Sequence, residues 1–392
     1  MALKVLEIDV AEKIPALLSH RPYEGIHILV KYRRQPVGWV TLGNLQEPAN
    51  PEQLREAIAE ELGESLVRAA LGRHLQPISS DKVDTLPISV IVCTRDRTAQ
   101  LRRCLQSLVE LEYPNYEIIV VDNAPSSDDT AGLAAGMPVR YVCEERPGLD
   151  RARNRGIAEA LYGIVAFTDD DALPDRNWLN AISSAFAKRE VMAVTGPVIP
   201  GELETDAQIL FELGYGGMGH GFRERTIRPQ TITLRDLFWS SGFGVGCNMA
   251  FRREIFTSVG LFDVVLDVGT PSMGAGDIEM FHRIVARGHT LVYEPTVLVR
   301  HIHRRGIEAL RRQLLHNGSG FGCYLFSCAR NRTLSRRAIL FFACREWFWR
   351  WILRRLFRPG FIPRRLIVAE LAGMLSSPVA YLASRRSSSR GR

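Results

Sequence analysis

The chain has 392 residues, of which 46% are hydrophobic and 24% charged, and its mean hydropathy is -0.04. That length exceeds what one core supports, and that composition excludes both a disordered chain and one embedded throughout in lipid. The net charge of +7 averages two unlike parts: from residue 301 onward 19 arginines and no lysine face 3 acidic residues, a balance of +16, while the remainder balances to −9.

The opening "MALKVLEIDVAEK" lacks a basic segment followed by an apolar one, so no secretory leader is expected. The 7 cysteines then read as reduced thiols of a cytosolic protein; Cys323, Cys328 and Cys344 near His316 fit no zinc spacing. Residues 1–84 read as a small α+β unit with its linker. "IHILVKYRRQPVGWVTL" alternates about Gly38 as a hairpin does, "NPEQLREAIAEELGESLVRAAL" has helical periodicity, and "QPISSDKVDTLP" reads as the linker.

Residues 85–305 change character. "ISVIVC" (88–93) is a continuous apolar run, as in a strand buried on both faces. Leu101, Cys104, Leu105, Leu108 and Leu111 then recur on one helical face. "YEIIVV" (116–121), "VRYVC" (139–143) and "GIVAF" (163–167) continue the alternation, which predicts an α/β fold with a mostly parallel sheet and helices on both faces. Ligands of such sheets bind beyond the carboxyl ends of the strands.

Those ends are acidic: "TRDR" (94–97), "DNAPSSDDT" (122–130) and "TDDD" (168–171). On composition alone an acidic run reads better as a solvated turn. Three such ends on one rim call for a hard cation, and oxygen ligands point to Mg²⁺ or Mn²⁺ shared with a phosphorylated ligand. No G-x-x-x-x-G-K-[ST] loop is present, and "TRDRTAQ" offers no glycine for a dinucleotide turn. The glycine clusters "GYGGMGHG" (214–221) and "GFGVG" (242–246) read as mobile loops over a site.

Seven segments, "ISVIVCTRDR", "IIVVDNAPSSDDT", "GLDRARNRGIAEA", "IVAFTDDDALPDRNWL", "GCNMAFRREIFTSVGLFD", "GAGDIEMFHRIVARG" and "VYEPTVLVRHIHRR", occur in an order that resembles glycosyltransferase family 2. The resemblance covers residues 88 to about 303 and implies the GT-A fold, a Rossmann-like nucleotide-sugar-binding architecture. It implies contacts to base and ribose from Thr94, Asp96 and Asp122, and a D-x-D motif in which Asp169 and Asp171 bring the metal to the donor diphosphate. Asp170 is then placed near the ribose, Arg153 and Asn154 frame the donor pocket, and Asp277 of "GDIE" is the general base. Gly276 departs from the pattern, since many members carry glutamate there. His301 is implied as an additional metal ligand, with His303 sharing its face.

The function so implied is metal-dependent inverting transfer of a sugar from a nucleoside-diphosphate sugar to a hydroxyl acceptor, lipid-linked or polysaccharide. A non-catalytic nucleotide-sugar-binding protein of the same fold and a sugar nucleotidyltransferase are the alternatives. For single residues, plain structural readings stand beside the functional ones. Asp277 also suits a helix cap, Arg151 and Arg155 a solvated face, Trp178 a core anchor, and Trp239 either a loop anchor or an acceptor contact.

Residues 306–392 read as a basic helical region. In "RRAILFFACREWFWRWILRRLFRP" (336–359), Arg350, Arg354, Arg355 and Arg358 fall on one side, and Phe341, Phe342, Trp349, Ile352 and Leu356 on the other. That division predicts a helix lying in the interface of an anionic membrane, hence a cytoplasmic protein held peripherally at the inner face. A layer packed on the catalytic domain is the competing reading. Leu366–Ala383, with Glu370 and Pro378, is at the lower limit for spanning. No nucleic-acid module accompanies the arginines.

Overall fold

A computed structural model describes residues 2–12, 22–43, 50–75, 85–331, 333–357 and 362–390. Strand β1 (Leu3–Asp9) pairs parallel with β2 (Gly25–Tyr32), which pairs antiparallel with β3 (Gln35–Leu42). Helix α1 (Pro51–Leu75) packs Leu54, Ile58 and Leu62 against Ile26, Ile28, Val30 and Val40. The expected hairpin turns at Arg33 and Arg34, both at positive φ (49° and 69°), with their N–H groups donating to the Asp9 carboxylate. Gly38 serves packing instead: a Cβ there would lie 2.3 Å from Leu62 Cδ2. Most of the expected linker, residues 76–84, lies outside the described residues.

The next elements alternate as predicted: β4 (Ile88–Thr94), α2 (Thr98–Val109), β5 (Tyr116–Asn123), α3 (Asp129–Ala135), β6 (Arg140–Glu144), α4 (Leu149–Glu159) and β7 (Ile164–Asp169). The strands lie side by side, β7-β4-β5-β6, all parallel. Every residue of β4 is buried, which is why its sequence is apolar without alternation. Val90 and Val92 face a core shared with Leu101, Leu105 and Trp178. Ile91 and Cys93 face the opposite core, with Ala152, Ile157 and Phe281.

The second half follows: β8 (Ala172–Pro174), α5 (Trp178–Ala185), β9 (Val191–Thr195), β10 (Val198–Pro200), α6 (Asp206–Ile209), β11 (Arg225–Ile227), α7 (Leu234–Phe238), β12 (Met249–Arg252), α8 (Ile255–Val259), α9 (Gly276–Ala286), β13 (Thr290–Tyr293) and β14 (Val299–His301). These complete an eight-stranded sheet of order β11-β13-β9-β12-β7-β4-β5-β6. Strand β12 runs antiparallel to both neighbours. A small sheet, β10-β14-β8, sets His301 opposite Ala172.

After β14 come α10 (Ile307–Arg330), α11 (Arg336–Phe341), a π-helical stretch over Phe342–Leu353, α12 (Arg354–Phe357) and α13 (Arg364–Arg390). Here the expected two-sided helix is corrected. Phe342, Trp347 and Ile352 are all buried at a spacing of five, the period of π-helical hydrogen bonding. They pack with Phe211, Phe238, Leu314 and Phe321 in one core, so Phe342 and Ile352 face protein while Phe341 and Trp349 stay exposed. Arg355 bonds the buried Glu370. Arg358 lies outside the described residues. Helix Arg364–Ser388 is long and apolar enough to cross a membrane, yet 39% of its most apolar stretch is buried in the protein.

Candidate active site

Adjacent parallel strands bring the acidic ends of β7, β4 and β5 to one rim, and the β14–β8 pairing carries His301 to it. Ligand atoms of Asp169, Asp171 and His301 lie within 4.8 Å of one another. His301 Nε2 is 3.1 Å from Asp171 Oδ1. Burial works against the charge on Asp171, but the His301 hydrogen bond, the His301 charge and Arg97 hold its carboxyl down to about 2. Asp169 is pushed the other way, to about 6, by burial and by Asp171 and Asp170, against Arg153 and His301. Its side chain accepts no hydrogen bond among the described residues. Two carboxylates and an imidazole, one carboxylate unspent and charged only at a cost, suit Mn²⁺ or Mg²⁺.

A further layer supports this trio. His301 Nδ1 faces His303 Nδ1 at 3.4 Å, and His303 Nε2 is 2.9 Å from Glu212 Oε2. Such outer partners fix ring orientation in metal sites. The sequence reading noted His303 but missed Glu212, which precedes the glycine cluster and reaches the rim only through the fold. A cavity of about 320 Å³ opens alongside, lined by Asp170, Asp171, His303, Arg103, Arg304 and Arg305.

The other expected residues divide. Asp96 sits exposed at positive φ (54°), accepting from the Ser126 N–H and hydroxyl. Asp122 is fully buried; Tyr141 donates to its Oδ2, Oδ1 has no hydrogen-bond partner among the described residues, and burial raises its pKa. Thr94 donates to Asp170 at 2.7 Å, and Arg97 pairs with the same carboxylate at 3.0 Å. Asp170 therefore braces the end of β4 while it also lines the cavity. Asn154 is likewise engaged: its amide bonds the Phe262 backbone in both directions, each at 3.0 Å. Those bonds clamp the loop at Phe262 to α4. Trp178 is a core anchor, donating to Asn248 at 2.9 Å. Trp239 stacks on Phe321 and meets Phe342 and Trp351, so the C-terminal region holds it in place.

Arg153 and Asp277 converge. Asp277 lies in the first turn of α9, and its Oδ2 accepts from the Gly246 N–H at 2.8 Å. A Cβ at Gly246 would lie 2.6 Å from Arg153 Nη2 and 3.0 Å from Asp277 Oδ2, so guanidinium and carboxylate share one pocket under the "GFGVG" loop. The cap position is taken by Ala275, at φ 89°, without a side-chain bond. Asp277 accepts the Ile278 N–H with Oδ1, which leaves Oδ2 facing the Gly246 loop.

Residues 89–260 match the family described as Glycosyl transferase family 2. A pre-mycofactocin glycosyltransferase of Mycobacterium tuberculosis is 26% identical over 68% of this chain and 53% of its own length. Glycosyltransferase AglE of Haloferax volcanii is 27% identical over 58% of this chain and 71% of its own. A glucosyl-dolichyl phosphate glucuronosyltransferase of the same archaeon is 25% identical over 45% and 56%. The chain thus spans about half the length of the first of these relatives. A solved mannosyltransferase from Pyrobaculum calidifontis, in complex with GDP-Man and Mn²⁺, matches with a TM-score of 0.47 and 19% identity, over 82% of this chain and 96% of its own.

Proposed function

Through residues 89–260 the chain belongs to glycosyl transferase family 2, and on that premise we propose that it moves a sugar from a nucleoside-diphosphate sugar to a hydroxyl acceptor, with inversion and with Mg²⁺ or Mn²⁺. The observation that carries this reading is the gathering of Asp169, Asp171 and His301 at the strand ends, beside the pocket that Asp277 shares with Arg153.

Asp277 takes the proton of the acceptor hydroxyl, a role worth roughly 10²–10⁴-fold. The freed oxygen forms its bond to the anomeric carbon as the bond to the diphosphate breaks on the opposite side. The bonding electrons leave with the diphosphate, and a single displacement inverts the centre. Asp169, Asp171 and His301 would hold the divalent cation, which would supply neutralisation of that leaving charge. Asp96 and Asp122 belong to the nucleoside end of the site, and Arg153 adds fixed positive charge near the base.

An acceptor on a lipid carrier or polysaccharide, used at the cytoplasmic face of an anionic membrane, completes the proposal. Two observations support it. One relative is named for a glucosyl-dolichyl phosphate, and Phe341, Phe348, Trp349 and Phe357 stand exposed in the arginine-rich region.

Calorimetric titration with UDP-, GDP- and dTDP-sugars, in Mn²⁺, Mg²⁺ or EDTA, tests the donor. Metal-dependent binding is expected and should vanish in Asp171→Ala with the fold intact. Asp277→Asn keeps the shape of the side chain but cannot take the proton, so binding should survive while turnover of the bound donor falls roughly 10²-fold or more. Metal-independent binding in Asp171→Ala would overturn the metal assignment. Wild-type turnover in Asp277→Asn would move the base elsewhere, and a wild type that binds donor without turnover would make the chain a binding protein.

A further inference from the structure

Gly276 opens helix α9, where glycine is a poor helix former. Its reason lies in a distant side chain. A Cβ at position 276 would meet Asp150 Oδ2 at 1.8 Å and Asp150 Cγ at 2.5 Å, so the Asp150 carboxyl occupies the space any larger residue would need. Asp150 is 1% exposed. Its Oδ1 accepts from Arg153 Nη1 at 2.9 Å, and its Oδ2 is shut off from solvent without a hydrogen-bond partner among the described residues.

The aspartate is held there firmly. Asp267 accepts the N–H groups of Asp150 and Arg151 at the start of α4, at 2.8 and 3.3 Å. Gly148, at φ 146°, admits that clamp, since a Cβ there would lie 2.1 Å from Asp267 Oδ2. Burial and the neighbouring Asp267 raise the pKa of Asp150, opposed by Arg153. One carboxyl thus touches both the bare backbone at the start of α9 and the arginine that shares a pocket with Asp277.

We propose that Asp150 is a positioning residue for transfer: its carboxyl, packed on Gly276, fixes the start of α9 and the direction of Arg153, and through both the Asp277 carboxylate. Because Oδ2 is sealed from solvent, Asp150 acts through Arg153 and Asp277 and touches no substrate. This inference rests on Asp277 being the base.

The test is a double-mutant cycle on the full chain with Asp150→Ala, Gly276→Ala and both together, plus Asp150→Asn, read by donor turnover and by thermal melting. Each single change should lower kcat about tenfold or more while donor KM stays within about threefold. The double variant should be no worse than the poorer single, because both changes remove one contact. Asp150→Asn should recover most of kcat, its amide oxygen accepting the Arg153 bond. Gly276→Ala should lower Tm when Asp150 is intact and leave Tm unchanged when it is added to Asp150→Ala.

Wild-type kcat in Asp150→Ala, or additive effects in the cycle, would overturn the proposal. Should Gly276→Ala fail to fold, Asp150→Ala against Asp150→Asn decides it. The melting cycle needs no turnover, so its failure counts against this contact alone. Absence of turnover in the wild-type chain counts against the proposed function.

Discussion

His282 is a histidine whose charged form the fold disfavours. Its Nδ1 lies 2.8 Å from the Tyr324 hydroxyl and 3.2 Å from the Leu237 carbonyl, Nε2 has no hydrogen-bond partner among the described residues, and burial pushes the imidazole down to about 4. Between pH about 4 and 6.5 the unfolded chain binds a proton that the folded chain does not. Stability therefore falls as pH falls through that window, by at most ~3 kcal/mol, and is flat above it. Asp169 and Asp267, pushed up to about 6, slope the opposite way, so the comparison is of variant with wild type. His282→Gln should flatten the loss of Tm between pH 6.5 and 4.5 in calorimetric melts; an unchanged slope would show that the imidazole is not the group involved. The same contrast separates what the sequence discloses from what it hides. Asp169 and Asp171 show in the sequence as an acidic strand end, a pattern a solvated turn also has, and His301 stands out only through the family resemblance. Asp150 and Glu212 carry no local signal, and Gly246 shows only as the last residue of a glycine cluster. Their roles arise from contacts with Gly276, His303 and Asp277 that only the folded chain makes.

Among the elements, β4, β5 and β7 were readable because strands buried on both faces are apolar over most of their length. The edge strand β6 buries only Val142 and Glu144 and is read from its place in the alternation. The antiparallel β12 was not readable, since "MAFR" shows no more than a short apolar run. Residues 342–353 defeated an α-helical reading because their buried positions repeat every five residues. That π-helical stretch is tied down by the buried Glu370 of α13, which accepts from Trp351 at 2.7 Å, Tyr215 at 3.1 Å and Arg355 at 3.1 Å. Arg355 lies over the rings of Tyr215 and Trp351. Burial raises the Glu370 pKa, and Arg355 is the cation that opposes it. Arg355→Ala should therefore cost about 3–5 kcal/mol, the scale for stranding one buried charge, and mild acid should return part of it by protonating Glu370. Arg350→Ala is the control, since Glu346 keeps Arg235 at 2.9 Å, and it should cost about 1 kcal/mol or less. Chemical denaturation of the two variants ranks them, and equal losses would remove Glu370 from its anchoring role.

At the scale of the whole molecule, both flanking regions press on the rim. Lys31 bonds Glu7 at 2.6 Å and Asp175 at 3.2 Å, while Arg300, beside His301, pairs with the same two acids. The N-terminal sheet thereby grips β14 and the segment after the aspartates. On the other side, α10 and α13 back the loop before Asp277: Ser384 accepts the Ser272 N–H at 2.8 Å, and a Cβ at Gly320 would lie 3.2 Å from Gly274. Removing residues 336–392 would strip the cover from Phe238, Leu314 and Phe321, so truncation should yield aggregated protein rather than a soluble enzyme. Membrane attachment is better tested by point changes at exposed positions. Phe341, Trp349 and Phe357 are 59%, 63% and 74% exposed, so replacing them with Glu costs the fold little. If they enter an anionic interface, the triple variant should lose co-sedimentation with phosphatidylglycerol vesicles and keep its Tm. Salt should release only part of the wild type, because the Debye length shrinks from about 10 Å at 0.1 M to about 3 Å at 1 M while aromatic burial is unaffected. Wild-type protein that stays in the supernatant with anionic and neutral vesicles alike would make the region purely a packed layer, and the acceptor would then need no membrane.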